Sequence, residues 1–292
     1  MTYKIIDLFA GIGGFHLAFQ QLGAKTVFVS EWDKNARATY EANHSAKSEN
    51  LFGTENFAGD ITEIDATLIP DFDVLTGGFP CQPFSNAGKG AGFEDTRGTM
   101  FFHVANILKV KKPKAFFLEN VRGLLTHDEG RTFETIKNAI HELGYSFHFK
   151  VVRASEFNVP QHRPRLFMVG FREDIDDSTF DFPTPVPLTL TISDVLGGKV
   201  TNVAGVEKKI GFTLRVGGRG SGVHDRRNWD SYIVDGVERV ITIDEARQLQ
   251  GFPADYVFPV SNTQAFKQLG NSVAVPAIKA TAEQILQVLK KN

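Results

Sequence analysis

The first half of the chain alternates short apolar segments with segments of helical period, and this alternation restricts the fold more than any other feature. The pattern predicts strands at residues 5–9, 26–30, 74–75, 115–118, 147–152 and 166–171, and helices at 15–22, 35–42, 101–109 and 132–143. Strand–helix–strand units of this length connect parallel strands. We therefore expect an α/β fold with a doubly wound, mostly parallel sheet that has helices on both faces.

Three prolines interrupt this pattern at every second position, namely Pro183, Pro185 and Pro187. Proline cannot donate to the interior of a sheet, so this run predicts a domain boundary. The chain beyond it is rich in glycine and arginine as far as about residue 236, and helical period returns at 244–250 and 275–289. The last segment is as apolar as the first domain, which predicts that the chain returns to that domain.

Composition limits the class of protein. A net charge of −2 argues against bulk electrostatic coating of nucleic acid, although a local basic stripe is enough for a site-specific DNA enzyme. The single cysteine excludes an internal disulfide and a multi-thiolate metal site, and we expect no metal. No apolar run is long enough to span a membrane, and the N-terminus lacks the layout of a signal peptide. We expect a cytoplasmic protein with no membrane partner.

A glycine-rich turn follows the first predicted strand and contains Gly11, Gly13 and Gly14. Such glycines form a tight turn and allow the backbone to approach a ligand closely. Glu31 lies 20 residues after Gly11, where an acid typically binds ribose hydroxyls. The spacing Gly-x-Gly-Gly lacks the third glycine of the dinucleotide motif. The turn therefore favours a nucleoside cofactor other than a nicotinamide dinucleotide.

Phe9 and Trp32 lie at strand ends on the same side of this predicted crevice. Aromatic faces beside a ribose-binding acid suit an adenine ring and a cationic sulfonium. Both residues could equally be ordinary core aromatics. Asp60, at the expected end of the third strand, could accept a hydrogen bond from an adenine amine or could simply be a turn residue.

The segment 77–85 contains Cys81 directly after a predicted strand. This position is at the carboxyl edge of the sheet, where open α/β folds bind ligands. A lone thiol is either a small buried hydrophobe or a nucleophile, and its place on a Gly- and Pro-rich loop favours the nucleophile. The glycine-rich stretch 87–98, with Lys89 and Arg97, is typical of a lid over a site or of a solvated surface loop.

Two further polar groups lie next to predicted strands. Glu119 follows the strand at 115–118, where a protonated carboxyl could donate to a ring nitrogen, although an exposed acid at a strand end is common. Arg163 and Arg165 alternate just before the last strand of the first half. They suit recognition of phosphate or a carbonyl oxygen, or form a solvated basic turn.

Taken in order, these motifs closely resemble the DNA cytosine-5 methyltransferase family. The series is 7–14, Glu31-Trp32, Gly59-Asp60, Pro80-Cys81-Gln82, Glu119-Asn120-Val121, Gln161-x-Arg163-x-Arg165, Gln250-Gly251-Phe252-Pro253 and Gly270-Asn271-Ser272-Val273. The resemblance covers nearly the whole chain except about 189–236. The compact length resembles the modification enzyme of a bacterial restriction–modification system.

The resemblance implies a Rossmann-like methyltransferase fold that uses S-adenosylmethionine, and a division into two domains. Residues 1–182 and 268–292 would form the catalytic and cofactor-binding domain, and 183–267 a small, irregular, β-rich target-recognition domain. The implied cofactor residues are Phe9, Gly11, Gly13, Gly14, Glu31, Trp32, Asp60, Pro80 and Asn271.

The implied chemistry is addition of the Cys81 thiolate to carbon 6 of a flipped-out cytosine. Glu119 would donate to ring nitrogen 3, and Arg165 would contact the ring carbonyl oxygen with Arg163 close by. The expected partner is double-stranded DNA, contacted by a monomer that is associated with the nucleoid and paired functionally with a restriction endonuclease. The expected DNA contacts are Gln82, Ser85, Lys89, Arg97, Gln161, Arg215, Arg219, Arg226 and Arg227.

Three other functions are open at this point. Some family members with the same motifs act on tRNA, but the Arg- and Gly-rich segment favours a duplex reader. A catalytically silent DNA-binding relative is disfavoured by the intact Cys81 and Glu119. A nicotinamide-dependent oxidoreductase is disfavoured by the glycine spacing and by the full order of motifs.

Overall fold

The computed structural model describes residues 2–48, 50–80, 96 and 99–292. The strands are β1 (Lys4–Leu8), β2 (Lys25–Ser30), β3 (Phe57–Ala58), β4 (Val74–Gly77), β5 (Ala115–Val121), β6 (His148–Arg153), β7 (Pro164–Phe171), β8 (Val200–Thr201), β9 (Ser231–Val234) and β10 (Val237–Val240). The α-helices are α1 (Gly14–Gln20), α2 (Lys34–His44), α3 (Met100–Lys111), α4 (Arg131–Glu142), α5 (Ile192–Leu196), α6 (Ile243–Leu249), α7 (Asn262–Asn271) and α8 (Val275–Lys291). Short 3-10 helices lie at Ser45–Lys47, Ile61–Glu63, Ala66–Leu68, Arg122–Gly130 and Ala154–Phe157.

The first seven strands form one sheet in the order β3-β2-β1-β4-β5-β7-β6. Strands β3, β2, β1, β4 and β5 pair in parallel, and β7 runs antiparallel to both β5 and β6. The predicted α/β class and mostly parallel sheet are confirmed. The strand order reverses between β1 and β4, and open sheets bind ligands outside the carboxyl ends of the strands at such a point.

The sheet is buried because successive side chains of its central strands enter two different apolar layers. On β5, Phe117 packs in a core with residues of α1 and α8, whereas Phe116 packs in a core with residues of α3 and α4. Both rings are fully buried. This two-sided burial explains why the central strands are continuous apolar runs in the sequence. Since α8 packs against α1, the end of the chain returns to the first half of the fold.

The second half contains a separate antiparallel sheet of three strands in the order β10-β9-β8. The division at residues 183 and 267 stays a prediction, and α7 runs across the second of these positions. The third strand ends at Ala58, two residues before Asp60, which instead caps the helix at Ile61–Glu63. Among the described residues, no helix is long and apolar enough to cross a membrane.

A buried polar cluster lies behind the turn that follows β1. The rings of His16 and His44 stack with centroids 4.0 Å apart. His16 Nδ1 is 2.7 Å from the Tyr40 hydroxyl, and His44 Nε2 is 3.2 Å from the Tyr256 hydroxyl, which donates to the Ile12 carbonyl. Burial lowers the pKa of both histidines, and that of His44 falls to about 4. Both rings are therefore neutral in the folded protein near pH 7.

This burial predicts a loss of stability in mild acid. The unfolded chain protonates His44 near its ordinary pKa of 6.5, whereas the folded protein does so only near pH 4, so stability is lost as the pH falls between these values. Between pH 7 and pH 5, the protonation of His44 in the unfolded chain alone lowers the free energy of unfolding by about 2 kcal/mol. Urea titrations at pH 7 and pH 5 should show a smaller loss for His44→Gln than for the wild type.

The matched control is His224→Gln, because His224 is exposed. That variant should keep the wild-type pH dependence. If His44→Gln and the wild type lose equal unfolding free energy between pH 7 and pH 5, the buried histidine is not the cause.

Candidate active site at the carboxyl edge of the sheet

A cavity of about 560 Å³ opens where β1, β2, β3 and β4 end. Cavities of this size hold nucleoside-sized and larger small molecules. The predicted cofactor residues that line it are Phe9, Gly11, Glu31, Trp32, Asp60, Pro80 and Asn271. Met100, Lys267 and Gln268 also line the wall and were not predicted. The chain therefore brings residues from both of its ends to one wall.

Glu31 is the buried acid of this wall. Its Oε2 accepts a hydrogen bond from the Gly11 N–H at 2.7 Å, and its Oε1 accepts one from the Asp33 N–H at 2.8 Å. Burial raises the pKa of this carboxyl, and the two backbone hydrogen bonds oppose that rise. Each carboxylate oxygen has a further lone pair, so the group can still accept from a ligand hydroxyl.

Two constraints, backbone conformation and close packing, require glycine at different positions of the turn. Gly11 has a φ of 55°, and a Cβ there would meet no atom within 4 Å, so the left-handed backbone is what requires glycine at the open wall. Gly13 and Gly14 do not line the cavity. A Cβ on Gly13 would lie 2.5 Å from His44 Nε2, and one on Gly14 would lie 2.5 Å from Val273 Cγ2. Packing behind the wall requires glycine at both positions, and at Gly13 a left-handed φ of 82° requires it as well.

Trp32 and Phe9 present aromatic rings to the cavity. The Trp32 side chain is 76% exposed, which excludes a core role for it in this structure. Phe9 is half-buried and has a φ of 52°, an uncommon conformation for a bulky residue that is typical of functional sites. Asp60 accepts a hydrogen bond from the Thr62 N–H at 2.9 Å, and its hydrogen bonds to Thr62 hold the pKa of its carboxyl below the usual value.

Glu119 and Arg165 form an ion pair beside the end of β4. Arg165 Nε lies 2.9 Å from Glu119 Oε1, and both side chains are largely buried. A Cβ on Gly78 would lie 3.5 Å from Glu119 Oε2, so the carboxyl faces the segment that leads to Pro80. Burial raises the pKa of Glu119, although Arg165 and Arg163 oppose the rise. A buried carboxyl of this kind can hold or accept a proton at a fixed place.

Asn120 fixes the same segment from the next position of β5. Its Nδ2 donates to the Phe79 carbonyl at 2.9 Å, and the side chain is buried. Sequence reasoning did not assign Asn120 a role, although a polar residue at the end of an apolar strand was a usable signal. Cys81, directly after Pro80, lies outside the described residues, as do the predicted DNA contacts Gln82, Ser85, Lys89 and Arg97.

Gln161, which was expected to contact DNA, and Arg163, which was expected to lie close to Arg165, are both buried. The Arg163 guanidinium donates to the carbonyls of Leu214 at 3.1 Å, Gly270 at 3.0 Å, and Ser272. Gln161 is fully buried and bonds only to protein groups among the described residues. Burial is the main cause that lowers the pKa of Arg163, and the positive charge of the neighbouring Arg165 lowers it further. The structure thus places both residues inside the protein, with Arg163 beside the Glu119–Arg165 pair.

The Gly- and Arg-rich stretch at residues 213–230, which we call the recognition segment, has an exposed basic surface. The side chains of Arg215, Arg219, Arg226 and Arg227 are all exposed. Arg219 lies 3.8 Å over the ring of Phe266, and Arg227 pairs with Asp225 at 2.7 Å. This surface offers guanidinium groups to phosphates and base edges.

Comparisons with known proteins identify the family of this chain. The family model described as C-5 cytosine-specific DNA methylase matches residues 3–217 and 208–287. The chain is 47% identical to the Type II methyltransferase M1.ScrFI of Lactococcus lactis subsp. cremoris over 99% of its length and 79% of that protein. It is 44% identical to the Type II methyltransferase M.SsoII of Shigella sonnei over 98% of its length and 81% of that protein.

Two solved structures share the fold. A putative DNA modification methyltransferase encoded within an E. coli prophage aligns with a TM-score of 0.71 at 19% identity, over 99% of this chain and 100% of that chain. DNMT2 of Spodoptera frugiperda aligns with a TM-score of 0.67 at 19% identity over the same shares. At these identities the two structures support the fold alone.

Replacement of Glu31 by glutamine tests the geometry of the wall. Glutamine has one acceptor oxygen where the carboxylate has two, so the N–H of Gly11 or Asp33 loses its partner and the negative charge at the cavity wall is lost. We expect binding of S-adenosylhomocysteine to weaken by about 10-fold or more, the usual effect of losing a charged hydrogen bond. Calorimetric titration measures the change.

The control for this substitution is Glu41→Gln, which removes an exposed carboxylate from α2. Its affinity for S-adenosylhomocysteine should equal that of the wild type. Unchanged affinity in Glu31→Gln would exclude the carboxylate from the ligand site.

Proposed function

Because this chain belongs to the C-5 cytosine-specific DNA methylase family, we propose that it methylates carbon 5 of one cytosine within a short duplex DNA sequence, with S-adenosylmethionine as the donor. One observation carries the proposal. Pro80, the residue before the single cysteine, lines the cavity, and the Glu119–Arg165 pair lies beside the same segment. Likeness to Type II methyltransferases supports a role in protecting host DNA from a partner restriction endonuclease.

The cavity wall fits an adenosyl methyl donor. The Glu31 carboxylate is placed to accept from ribose hydroxyls, and the exposed Trp32 ring offers a face for adenine. Asp60 can accept from the adenine amine, while Pro80 and Asn271 line the wall. When bound, the donor supplies an electrophilic methyl group on a sulfonium.

The cytosine must leave the DNA stack before this chemistry is possible, at a cost of a few kcal/mol of unstacking. Carbon 5 of cytosine is a poor nucleophile. Addition of the Cys81 thiolate to carbon 6 forms a carbon–sulfur bond and makes carbon 5 an enamine carbon that can accept the methyl group. With the methyl group on carbon 5, the spent donor leaves as S-adenosylhomocysteine. Transfer of the carbon-5 proton to water or another base then breaks the carbon–sulfur bond, expels the thiolate and restores the aromatic ring.

Glu119 and Arg165 stabilise the ring while Cys81 is bound to it. A protonated Glu119 donates to ring nitrogen 3 and holds the exocyclic amine, and Arg165 contacts the ring carbonyl oxygen. Burial, which raises the pKa of Glu119, favours the protonated form that this role needs. The ion pair fixes the carboxyl in place before the base arrives. Asn120 acts as a positioning residue through the Phe79 carbonyl.

The exposed arginines of the recognition segment read the target sequence in this proposal. Arginine forms paired hydrogen bonds with guanine in the major groove, and some of these side chains contact phosphate instead. The segment is short, so we expect a site of roughly four to six base pairs. The monomeric state and the partner endonuclease stay predictions from the resemblance.

The alternative functions have less support. The relatives at 44–47% identity carry Type II methyltransferase names, and none of the observations favours tRNA over duplex DNA. A silent DNA-binding relative would not need the buried Glu119–Arg165 pair beside the cavity. The match to the methylase family excludes the hypothesis of a nicotinamide-dependent oxidoreductase.

Bisulfite sequencing of plasmid DNA from cells that express the protein tests the function directly. We expect complete protection of one cytosine in one short sequence. Cys81→Ala should lower methylation by about three orders of magnitude or more, the usual effect of losing a covalent nucleophile. Cys81→Ser, which keeps the side-chain shape, should be equally inactive.

Both Cys81 variants should still bind S-adenosylhomocysteine, because the described wall is formed by other residues. Wild-type methylation by Cys81→Ala would refute the nucleophile. If labelled donor methylates tRNA and leaves plasmid DNA unmodified, the tRNA alternative is correct.

A further inference from the structure

We propose that the buried side chains of Gln161, Arg163 and Gln250 couple DNA binding at the recognition segment to cofactor binding in the cavity. The inference rests on the proposed function, since it assumes that the two ligands are duplex DNA and an adenosyl donor. It gives the two buried residues of the Gln161-x-Arg163 motif a role that differs from contact with the base or the DNA.

The recognition segment is held by the two peptide groups that flank Leu214. The Leu214 N–H donates to Gln161 Oε1 at 2.9 Å, and the Leu214 carbonyl accepts from Arg163 Nη1 at 3.1 Å. Leu214 is itself buried, whereas the next residue, Arg215, is exposed. An exposed arginine of the segment is therefore attached directly to a fixed buried residue.

The second terminal nitrogen of the Arg163 guanidinium binds the backbone around Asn271, at the end of α7. Its Nη2 donates to the carbonyls of Gly270 and Ser272, the two neighbours of the cavity-lining Asn271. The guanidinium is planar and rigid, so its donors keep a fixed relation to one another. A displacement of Leu214 must therefore move the turn around Asn271 or break a buried hydrogen bond.

A second connection runs through two glutamines. Gln161 Nε2 donates to Gln250 Oε1 at 3.2 Å, and Gln250 Nε2 donates to the Leu269 carbonyl, two residues before Asn271. Both glutamines are fully buried. Because breaking a buried hydrogen bond costs about 1–3 kcal/mol, these connections resist independent motion of their two ends.

The backbones of the two regions are also in direct contact. A Cβ on Gly270 would lie 2.6 Å from the Arg215 carbonyl carbon and 3.0 Å from the Val216 N. Only a glycine allows this approach. Because the two backbones are closely packed, a displacement of one must displace the other. Two hydrogen-bonded paths from Leu214 and one direct backbone contact thus connect the exposed recognition segment to the cavity wall. Any coupling between the two ligands must be reciprocal.

The test measures the dissociation constant of S-adenosylhomocysteine by calorimetry, with and without a duplex that contains the target found by bisulfite sequencing. The ratio of the two constants is the coupling factor. We expect duplex to tighten binding in the wild type, and Arg163→Lys and Gln250→Met to lower the coupling factor by about 3- to 10-fold. Lysine keeps the charge but cannot span three carbonyls, and methionine keeps the volume of Gln250 without its amide.

The matched control is Tyr145→Phe. It removes one buried hydrogen bond, from the Tyr145 hydroxyl to the Pro113 carbonyl at 2.8 Å. This bond lies near the start of β5, whereas the cavity lies at the carboxyl ends of the strands. This variant should keep the wild-type coupling factor. A purely structural role for Arg163 and Gln250 would weaken both ligands alike and leave the ratio unchanged.

Two results would overturn the inference. One is a wild-type coupling factor in folded Arg163→Lys and Gln250→Met, and the other is a factor of one in a wild-type protein that methylates the duplex. If Arg163→Lys does not fold, Gln250→Met decides alone, supported by hydrogen exchange in the wild type, where S-adenosylhomocysteine should slow exchange of the Leu214 amide. Failure of the wild type to methylate any duplex would instead refute the proposed function.

Discussion

The parallel pairing of β1 with β4 and of β4 with β5 is the constraint on which the site depends. The register sets Leu8 opposite Gly77, and Gly77 opposite Leu118. The next residues, Phe9, Gly78 and Glu119, therefore lie at the same level, where the chain leaves the sheet after β1 and β4 while β5 continues to Val121. A Cβ on Gly77 would lie 2.8 Å from the Leu8 carbonyl oxygen, so glycine is required where the two strands approach. The cavity wall and the Glu119–Arg165 pair are thus brought together by backbone hydrogen bonds before any polar side chain contributes.

The recognition segment combines a fixed backbone with exposed side chains. Trp229, which is fully buried, donates from Nε1 to the Gly217 carbonyl at 2.7 Å, and the buried Asp230 carboxylate accepts from the Gly220 N–H at 2.9 Å. These contacts and the hold on Leu214 order a glycine-rich stretch that would otherwise lose much backbone entropy on binding DNA. The arginines between the fixed points stay at the surface. Such preorganisation supports the proposed role of this segment, which is to present guanidinium groups to a groove.

Sequence reasoning could predict the residues whose role depends on local order in the chain. Period and strand ends placed Glu31, Trp32 and Glu119 at the carboxyl edge, because parallel strands bring their ends to one side. It could not predict the burial of Gln161 and Arg163, since their partners lie 51 to 109 residues further along the chain. The glycines at 13 and 14 were predicted for a ligand, but the structure packs them against His44 and Val273. Only tertiary contacts distinguish a glycine that admits a ligand from a glycine that admits a neighbouring side chain.

The claim at the centre of this account is a transient bond between the Cys81 sulfur and the target cytosine. The most direct measurement uses a duplex that carries 5-fluorocytosine at the target position together with S-adenosylmethionine. Fluorine on carbon 5 leaves no proton to remove, so the expected product is a denaturant-stable protein–DNA complex in which peptide mapping finds the DNA on Cys81. Efficient methylation of the ordinary duplex without any trapped complex, or an adduct on another residue, would contradict the account.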